Sequence, residues 1–266
     1  MGGAEAFCRR PGRRARRGDP GDGWGRHFRD NGGVQDLRRS LVLFARAPEA
    51  GQVKTRLAPV LTEEGAARLY RAFLEDAARA YLAPESWSSI LAAEPDPEHP
   101  FLSSLFRPPW RREAQAGGDL GARLTAAFES EFSRGAQSVL AVGSDHPALA
   151  RRRLQKAFEA LHDGAGAAVI PAADGGYCAI GLSARAVPAE IFRDIPWSSG
   201  EVLASTLRRC AGARVSVAVL EPAYDVDRPE DIERLRRDLA LRGPESEDYP
   251  RATALALRQL EREKAL

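Results

Sequence analysis

The sequence predicts an α/β protein with a mainly parallel sheet and helices on both faces. Three observations carry the fold class. Short unbroken apolar runs read as buried strands, amphipathic stretches of roughly 10–20 residues separate them, and chemically unusual polar loops follow several of the strands.

The first run, Leu41-Val-Leu-Phe-Ala45, has no polar break and reads as a buried parallel strand. A loop containing Pro48, Gly51 and Pro59 follows, and Thr62-Glu-Glu opens a helix: the threonine can cap it and the two acids suit its positive end. Apolar residues at 66, 69, 70, 73, 74, 77 and 81 keep the i, i+3, i+4 spacing of one buried face. The alternation repeats with a strand over 89–93, a proline-rich connection to Trp110, a helix over 120–132 and a strand over 138–142. It continues with a helix over 149–161, strands over 167–170 and 177–182, a helix over 201–210, a strand over 214–220 and a helix over 229–239. This order predicts βαβ units.

Residues 1–39 stand apart. They hold nine of the 24 glycines, and residues 1–40 hold ten arginines and no lysine, so we expect an Arg/Gly-rich disordered extension. The main domain is expected over 40–242. Residues 243–266, after Gly243-Pro244, read as an appended helix with Leu255, Leu257 and Leu260 as a weak apolar stripe.

Residues 1–40 carry a formal charge of +5 and the remainder −3, so the body lacks the basic balance of a nucleic-acid binder. No apolar run approaches the roughly 18 residues of a spanning helix, and no secretory apolar segment precedes the body. The three cysteines, Cys8, Cys178 and Cys210, are odd in number and widely separated. They fit a reducing, cytoplasmic setting and neither a disulfide scaffold nor a Cys-x-x-Cys site.

In open α/β sheets, ligands bind beyond the carboxyl ends of strands, so those loops were read for chemistry. Arg46 to Leu57 places Gly51 beside Lys54 and Arg56, a flexible backbone with cations that suits a di- or triphosphate. The P-loop spacing is missing, and a solvated basic loop is the alternative. Gly143-Ser-Asp-His-Pro offers Asp145 either to a hard divalent cation or as a helix N-cap. Asp174-Gly-Gly-Tyr177 is either a substrate-facing acid beside permissive glycines or a hairpin turn. In Tyr224-Asp-Val-Asp-Arg-Pro, Pro229 suits the first helical position and leaves Asp225 and Asp227 outside the helix entrance, free to bind an ion. Jointly, one cationic and three acidic loops describe a site for a metal-bound nucleotide phosphate.

The strings Phe44-Ala-Arg-Ala-Pro, Gly51-x-Val-Lys-Thr-Arg-Leu57, Gln115-x-Gly-Gly-Asp-Leu-Gly-x-Arg123, Gly143-Ser-Asp-x-Pro147, Asp174-Gly-Gly-Tyr177, Pro196-Trp-Ser198 and Asp225-Val-Asp-x-Pro-Glu-Asp231 run in order along the body. In this pattern the chain resembles a bacterial glycosyltransferase-A-like family that includes arsenosugar-biosynthesis-type glycosyltransferases. It is also similar to phospholactate guanylyltransferase and, more distantly, to the molybdenum-cofactor nucleotidyltransferases. The resemblance implies a nucleotide-diphospho-sugar transferase (GT-A) fold in which Lys54 and Arg56 grip phosphates and Asp145 and Asp227 hold Mg2+ or Mn2+. It further implies a nucleotide and substrate pocket lined by Ala45, Arg46, Gly51, Gly118, Asp119, Gly121, Arg123, Ser144, Gly175, Gly176 and Tyr177. Three positions depart from the pattern: His146 replaces a small residue, Cys178 an aromatic, and Arg228 a capping threonine.

The expected activity is metal-dependent transfer of a sugar from a nucleotide-diphospho-sugar to a small acceptor, with Asp174 as the base that activates the acceptor hydroxyl. Two alternatives stand beside it. One is a guanylyltransferase-like nucleotidyltransferase using a nucleoside triphosphate and a phosphorylated acceptor; the other is a catalytically silent nucleotide- or sugar-binding protein. No nucleic-acid or membrane partner is expected.

Overall fold

The structure, a computed structural model, describes residues 38–264. The expected extension, with Cys8, lies outside the described residues apart from its last two positions. The strands are β1 (Arg39–Arg46), β2 (Ser88–Glu94), β3 (Arg111–Ala114), β4 (Ser138–Gly143), β5 (Ala167–Pro171), β6 (Tyr177–Ser183) and β7 (Val217–Val219). The helices are α1 (Ala58–Leu61), α2 (Glu63–Ala80), α3 (Pro100–Leu105), α4 (Leu120–Ser133), α5 (Arg151–His162), α6 (Pro188–Ile191), α7 (Val202–Gly212), α8 (Pro229–Arg242) and α9 (Arg251–Lys264). One sheet forms in the order β3-β2-β1-β4-β6-β5-β7. Every neighbouring pair is parallel except those made by β6, which runs antiparallel to both β4 and β5.

Successive residues of a strand face opposite sides, and β1 shows why its apolar run is unbroken. Leu41 and Leu43 enter a core under α2, α5, α8 and α9, whereas Val42 enters the core on the α4 and α7 face. Helix α2 forms as its stripe predicts: Ala66, Leu69, Tyr70, Phe73, Leu74, Ala77 and Tyr81 are all buried, and the Thr62 hydroxyl accepts Gly65 N–H at 3.1 Å.

The structure corrects several elements. The proline-rich connection holds both α3 and β3; β3 is a charged edge strand, without the apolar run that marks a central one. Helix α5 starts at Arg151, because Leu149 N–H bonds back to the His146 carbonyl and Ala150 is extended. Strand β7 is only three residues long, and Arg214, expected within it, turns left-handed at φ 56°. Helix α6 is a single turn, too short to carry a periodicity.

The C-terminal helix is no loose appendage. Asp76, on α2, accepts the Ala252 and Thr253 amides at 3.1 and 2.8 Å and so caps α9 from another helix. Leu257 and Leu260 are buried, while Leu255 is exposed and drops out of the expected stripe. At α8, the Arg228 guanidinium has no acceptor with which to cap. The Asp231 carboxylate compensates by accepting the Asp227 and Arg228 amides at 3.0 and 2.7 Å. Among the described residues no helix is long and apolar enough to cross a membrane.

Candidate active site

From β1 the chain passes outward to β2 and β3, then returns to place β4 on the other side of β1. The strand order reverses there, opening a crevice beyond the carboxyl ends of β1 and β4. The loops after these two strands are the cationic loop and the Asp145 loop. Buried Val53 and Leu57 pin the first loop around Lys54, which takes the left-handed conformation at φ 49°. That conformation costs a non-glycine residue about 1–2 kcal/mol, and it turns the ammonium inward.

The Lys54 side chain is only 3% exposed; its Nζ lies 2.7 Å from Asp145 Oδ1 and 3.9 Å from Asp227 Oδ1. The contacts are ionic, since no partner meets hydrogen-bond geometry at Nζ. The rings of Tyr70 and Phe73 lie 5.9 and 5.8 Å from the ammonium. Arg56 Nη1 donates to Asp227 Oδ2 at 2.6 Å. The two acidic loops are joined at the backbone, Val226 N–H donating to the Asp145 carbonyl at 2.9 Å. Asp145 caps no helix, since Ala150 occupies the N-cap of α5. Burial raises the Asp145 carboxyl, but the Lys54 ammonium outweighs it, with help from Arg46, and holds it below the ordinary carboxylate range.

A cavity of 290 Å3 opens here, with Lys54, Asp145 and Asp227 at one side and Phe44, Val53 and Leu120 as apolar walls. Ala45, Arg46 and Ser144 line it as expected, and so do Gln52, Tyr70 and Gln115. The Tyr70 hydroxyl accepts Arg46 N–H at 3.1 Å and lies 2.8 Å from Ser144 Oγ. It thereby links α2 to the end of β1 and to the segment after β4. Sequence reading placed Tyr70 in the apolar stripe, where nothing marks its hydroxyl for the site.

Glu94 was missed altogether. At the end of β2 it bonds Arg123 Nη1 at 2.7 Å and Arg46 Nη2 at 3.0 Å, joining two expected pocket arginines. The Arg123 hydrogen bond is the largest influence on its carboxyl and, with Arg46, lowers it against the opposing effect of burial. Gln115 Nε2 donates to the Ala45 and Ala92 carbonyls at 3.1 and 2.9 Å, and its Oε1 accepts from Arg123. A carboxylate and an amide thus fix the Arg123 guanidinium.

The other expected residues serve the frame. Asp119 is the N-cap of α4, accepting Ala122 N–H at 2.8 Å, and Gly118 precedes it at φ 97°. Gly121 packs against the Phe192 carbonyl and Trp197, where a Cβ would come within 2.8 Å of that oxygen. Asp174 sits in the β5–β6 hairpin, the alternative left open above, and accepts Gly176 N–H at 2.9 Å. A Cβ on Gly175 would meet the Gly200 carbonyl at 2.2 Å, so its closeness serves a neighbouring loop. Tyr177 packs edge-on to Trp197. None of these lines the Lys54 cavity, nor does Gly51, which turns the tip of the loop at φ 76°. Asp174 nevertheless lies near Asp225, whose carboxyl is raised first by burial and also by the Asp174 charge. His146 is buried, donates Nδ1–H to the Tyr224 carbonyl at 3.3 Å and turns Nε2 toward Gly143. Burial lowers its basicity and keeps it neutral. Cys178 is a core residue, its thiol pushed up by burial to about 12.

A crystal structure from Desulfovibrio desulfuricans G20, provisionally named a nucleotide-diphospho-sugar transferase, is 31% identical over 84% of this chain and 97% of its own, with a TM-score of 0.72. Residues 77–199 match the family described as an uncharacterized protein conserved in bacteria, DUF2064. The chain belongs to that family. More distant structures share its fold. A 4-diphosphocytidyl-2C-methyl-D-erythritol synthase from Anaerococcus prevotii is 12% identical over 77% of this chain and 96% of its own, and a nucleotidyl transferase from Methanothermobacter thermautotrophicus is 16% identical over 77% and 99%. Both have a TM-score of 0.50. No curated protein matches the chain. The sheet is that of the nucleotide-diphospho-sugar transferase-like α/β fold.

Proposed function

We propose that this DUF2064 protein is a divalent-metal-assisted glycosyltransferase that moves a sugar from a nucleotide-diphospho-sugar to a small acceptor. The observation that carries the reading is the meeting of Asp145 and Asp227, far apart in the sequence, on one buried ammonium at the switch point of the sheet. Among the described residues no three His, Cys, Asp or Glu side chains gather to form a metal cage. A carboxylate pair fits Mg2+ or Mn2+ that arrives with phosphate and completes its shell with phosphate oxygens and water. Asp145 and Asp227 would hold that ion, and when bound it would stabilise charge on the departing nucleotide.

The chain's own groups supply the rest. Lys54 and Arg56 stand beside the carboxylates as positive charge for the diphosphate. Phe44, Val53 and Leu120 offer apolar walls to the nucleoside. Asp174 is the proposed base: it is exposed, and the turn bond uses only its Oδ1. A second reading draws on the number of cations. Arg46, Lys54 and Arg56 on one loop also suit a triphosphate, which would make the reaction nucleotidyl transfer with release of pyrophosphate.

Calorimetry with nucleoside diphosphates and nucleotide sugars, in Mg2+, in Mn2+ and in chelator, tests the site. Wild type should bind only with metal; Asp145→Asn and Asp227→Asn should each abolish that binding, and the double variant should lose nothing further. Metal-independent binding, or single variants that bind like wild type, would refute the site. Nucleoside diphosphate as product supports glycosyl transfer, and pyrophosphate replaces it with the second reading.

A further inference from the structure

A larger cavity, 540 Å3, lies at the opposite edge of the sheet, where β1, β4, β5 and β7 begin and β6 ends. Arg39, Arg185, Arg214 and His162 line it, and among the described residues no Asp or Glu does. In a protein whose arginines are so often paired with carboxylates, none of these three arginines forms an ion pair with any described residue. Arg39 is steadied by its guanidinium lying 5.7 Å from the Phe158 ring.

Arg214 adds an independent observation. It closes α7 in the left-handed conformation at φ 56°, where glycine would be unstrained, so an arginine side chain is kept there at a conformational cost. Lys54, the central cation of the candidate active site, is the other described cation held this way besides Arg214. The ends of α5 and α7 bring carbonyls to the cavity, each equivalent to roughly half a negative charge. Three guanidinium groups outweigh the two ends and leave an electropositive hollow.

We infer that this cavity binds a small phosphorylated metabolite at a site separate from the candidate active site. Guanidinium groups match phosphate oxygens in geometry as well as in charge. The volume falls in the range of small-ligand pockets. The shape is a hollow and not a stripe along the surface, and the body's −3 charge disfavours a long polyanion.

The test is calorimetry with inorganic pyrophosphate in chelator, using the full chain, at fixed salt. Wild type should bind one pyrophosphate. Arg185→Gln, in an exposed turn, should weaken binding about three- to tenfold, and Arg39→Gln/Arg185→Gln/Arg214→Gln should remove it while circular dichroism stays native. Lys54→Met/Arg56→Met should leave this binding within about twofold, which separates it from failure of the proposed active site. Asp30→Asn/Asp36→Asn should also leave it unchanged; severalfold tighter binding there would mean that the chain's own carboxylates fill the hollow and would overturn the assignment. So would the absence of binding to wild type, or binding that survives the triple substitution.

Discussion

Lys54→Met probes the candidate active site without any substrate. Methionine keeps the length of the side chain and its contact with Tyr70 and Phe73 but removes the charge between two carboxylates. Removing one partner of a fully buried ion pair costs about 3–5 kcal/mol. Here the cost is smaller, because the side chains of Asp145 and Asp227 are 46% and 28% exposed and Arg56 still pairs with Asp227. With that solvent screening we expect a loss of about 1–2 kcal/mol at pH 7, or about 2–8 °C in Tm for a domain of this size. Thermal melts with and without millimolar Mg2+ provide the assay. The ion should restore most of the lost stability in Lys54→Met and shift wild type much less, since the ammonium already neutralises the pair. A variant as stable as wild type would show that the carboxylates do not need that cation. A loss that Mg2+ fails to relieve would show that the pair cannot accept a divalent ion.

Three further outcomes are expected. Glu94 has its carboxyl lowered by Arg123 and Arg46, so its ionised form contributes stability above the ordinary value near pH 4.3, lost as pH falls through the lower folded value. Urea titrations should therefore find Glu94→Gln less stable by about 1 kcal/mol at pH 7 and level with wild type in acid; a difference that persists in acid would contradict the pairing. Asp76→Ala should cost about 1–2 kcal/mol and make α9 the first site of limited proteolysis, whereas Asp76→Asn should retain most of the cap. Cys178 and Cys210 lie in cores on opposite faces of the sheet, their thiols pushed up by burial to about 12 and 11. A thiol reagent at pH 8 should reach neither before unfolding, and mass spectrometry of protein purified without reductant should find no bridge between them.

The parallel core was legible because its strands are buried on both faces and so write themselves as apolar runs, as Leu41 to Ala45 does. Strand β3 was not, for the same physical reason reversed. At the sheet edge it can carry Arg111 and Arg112, which pair with Glu113, Glu131 and Glu98, and such a sequence reads as a loop. The residues of the candidate site were legible as strand-end motifs, but their partners were not. Glu94 follows an unremarkable apolar run, and only the folded chain brings it to Arg46 and Arg123. Gly121 and Gly175 carry a motif signal to which packing contributes: both lie against backbone carbonyls, and sequence cannot tell that approach from the approach of a ligand.

The charges around the crevice bear on why a divalent ion belongs in the reading. Lys54, Arg46, Arg56 and Arg123 face Asp145, Asp227 and Glu94, four cations against three carboxylates. A nucleotide-diphospho-sugar carries about two negative charges, and about three once the sugar has left. Without a metal, the single excess cation would leave the departing diphosphate undercompensated by about two charges. Under the proposed function, one divalent ion held by Asp145 and Asp227 would close that gap. The same arithmetic assigns a purpose to the acids, which would otherwise only repel a phosphate donor. Under the proposed function Asp145 and Asp227, which pair with Lys54 in this structure, would receive the ion that arrives with the donor.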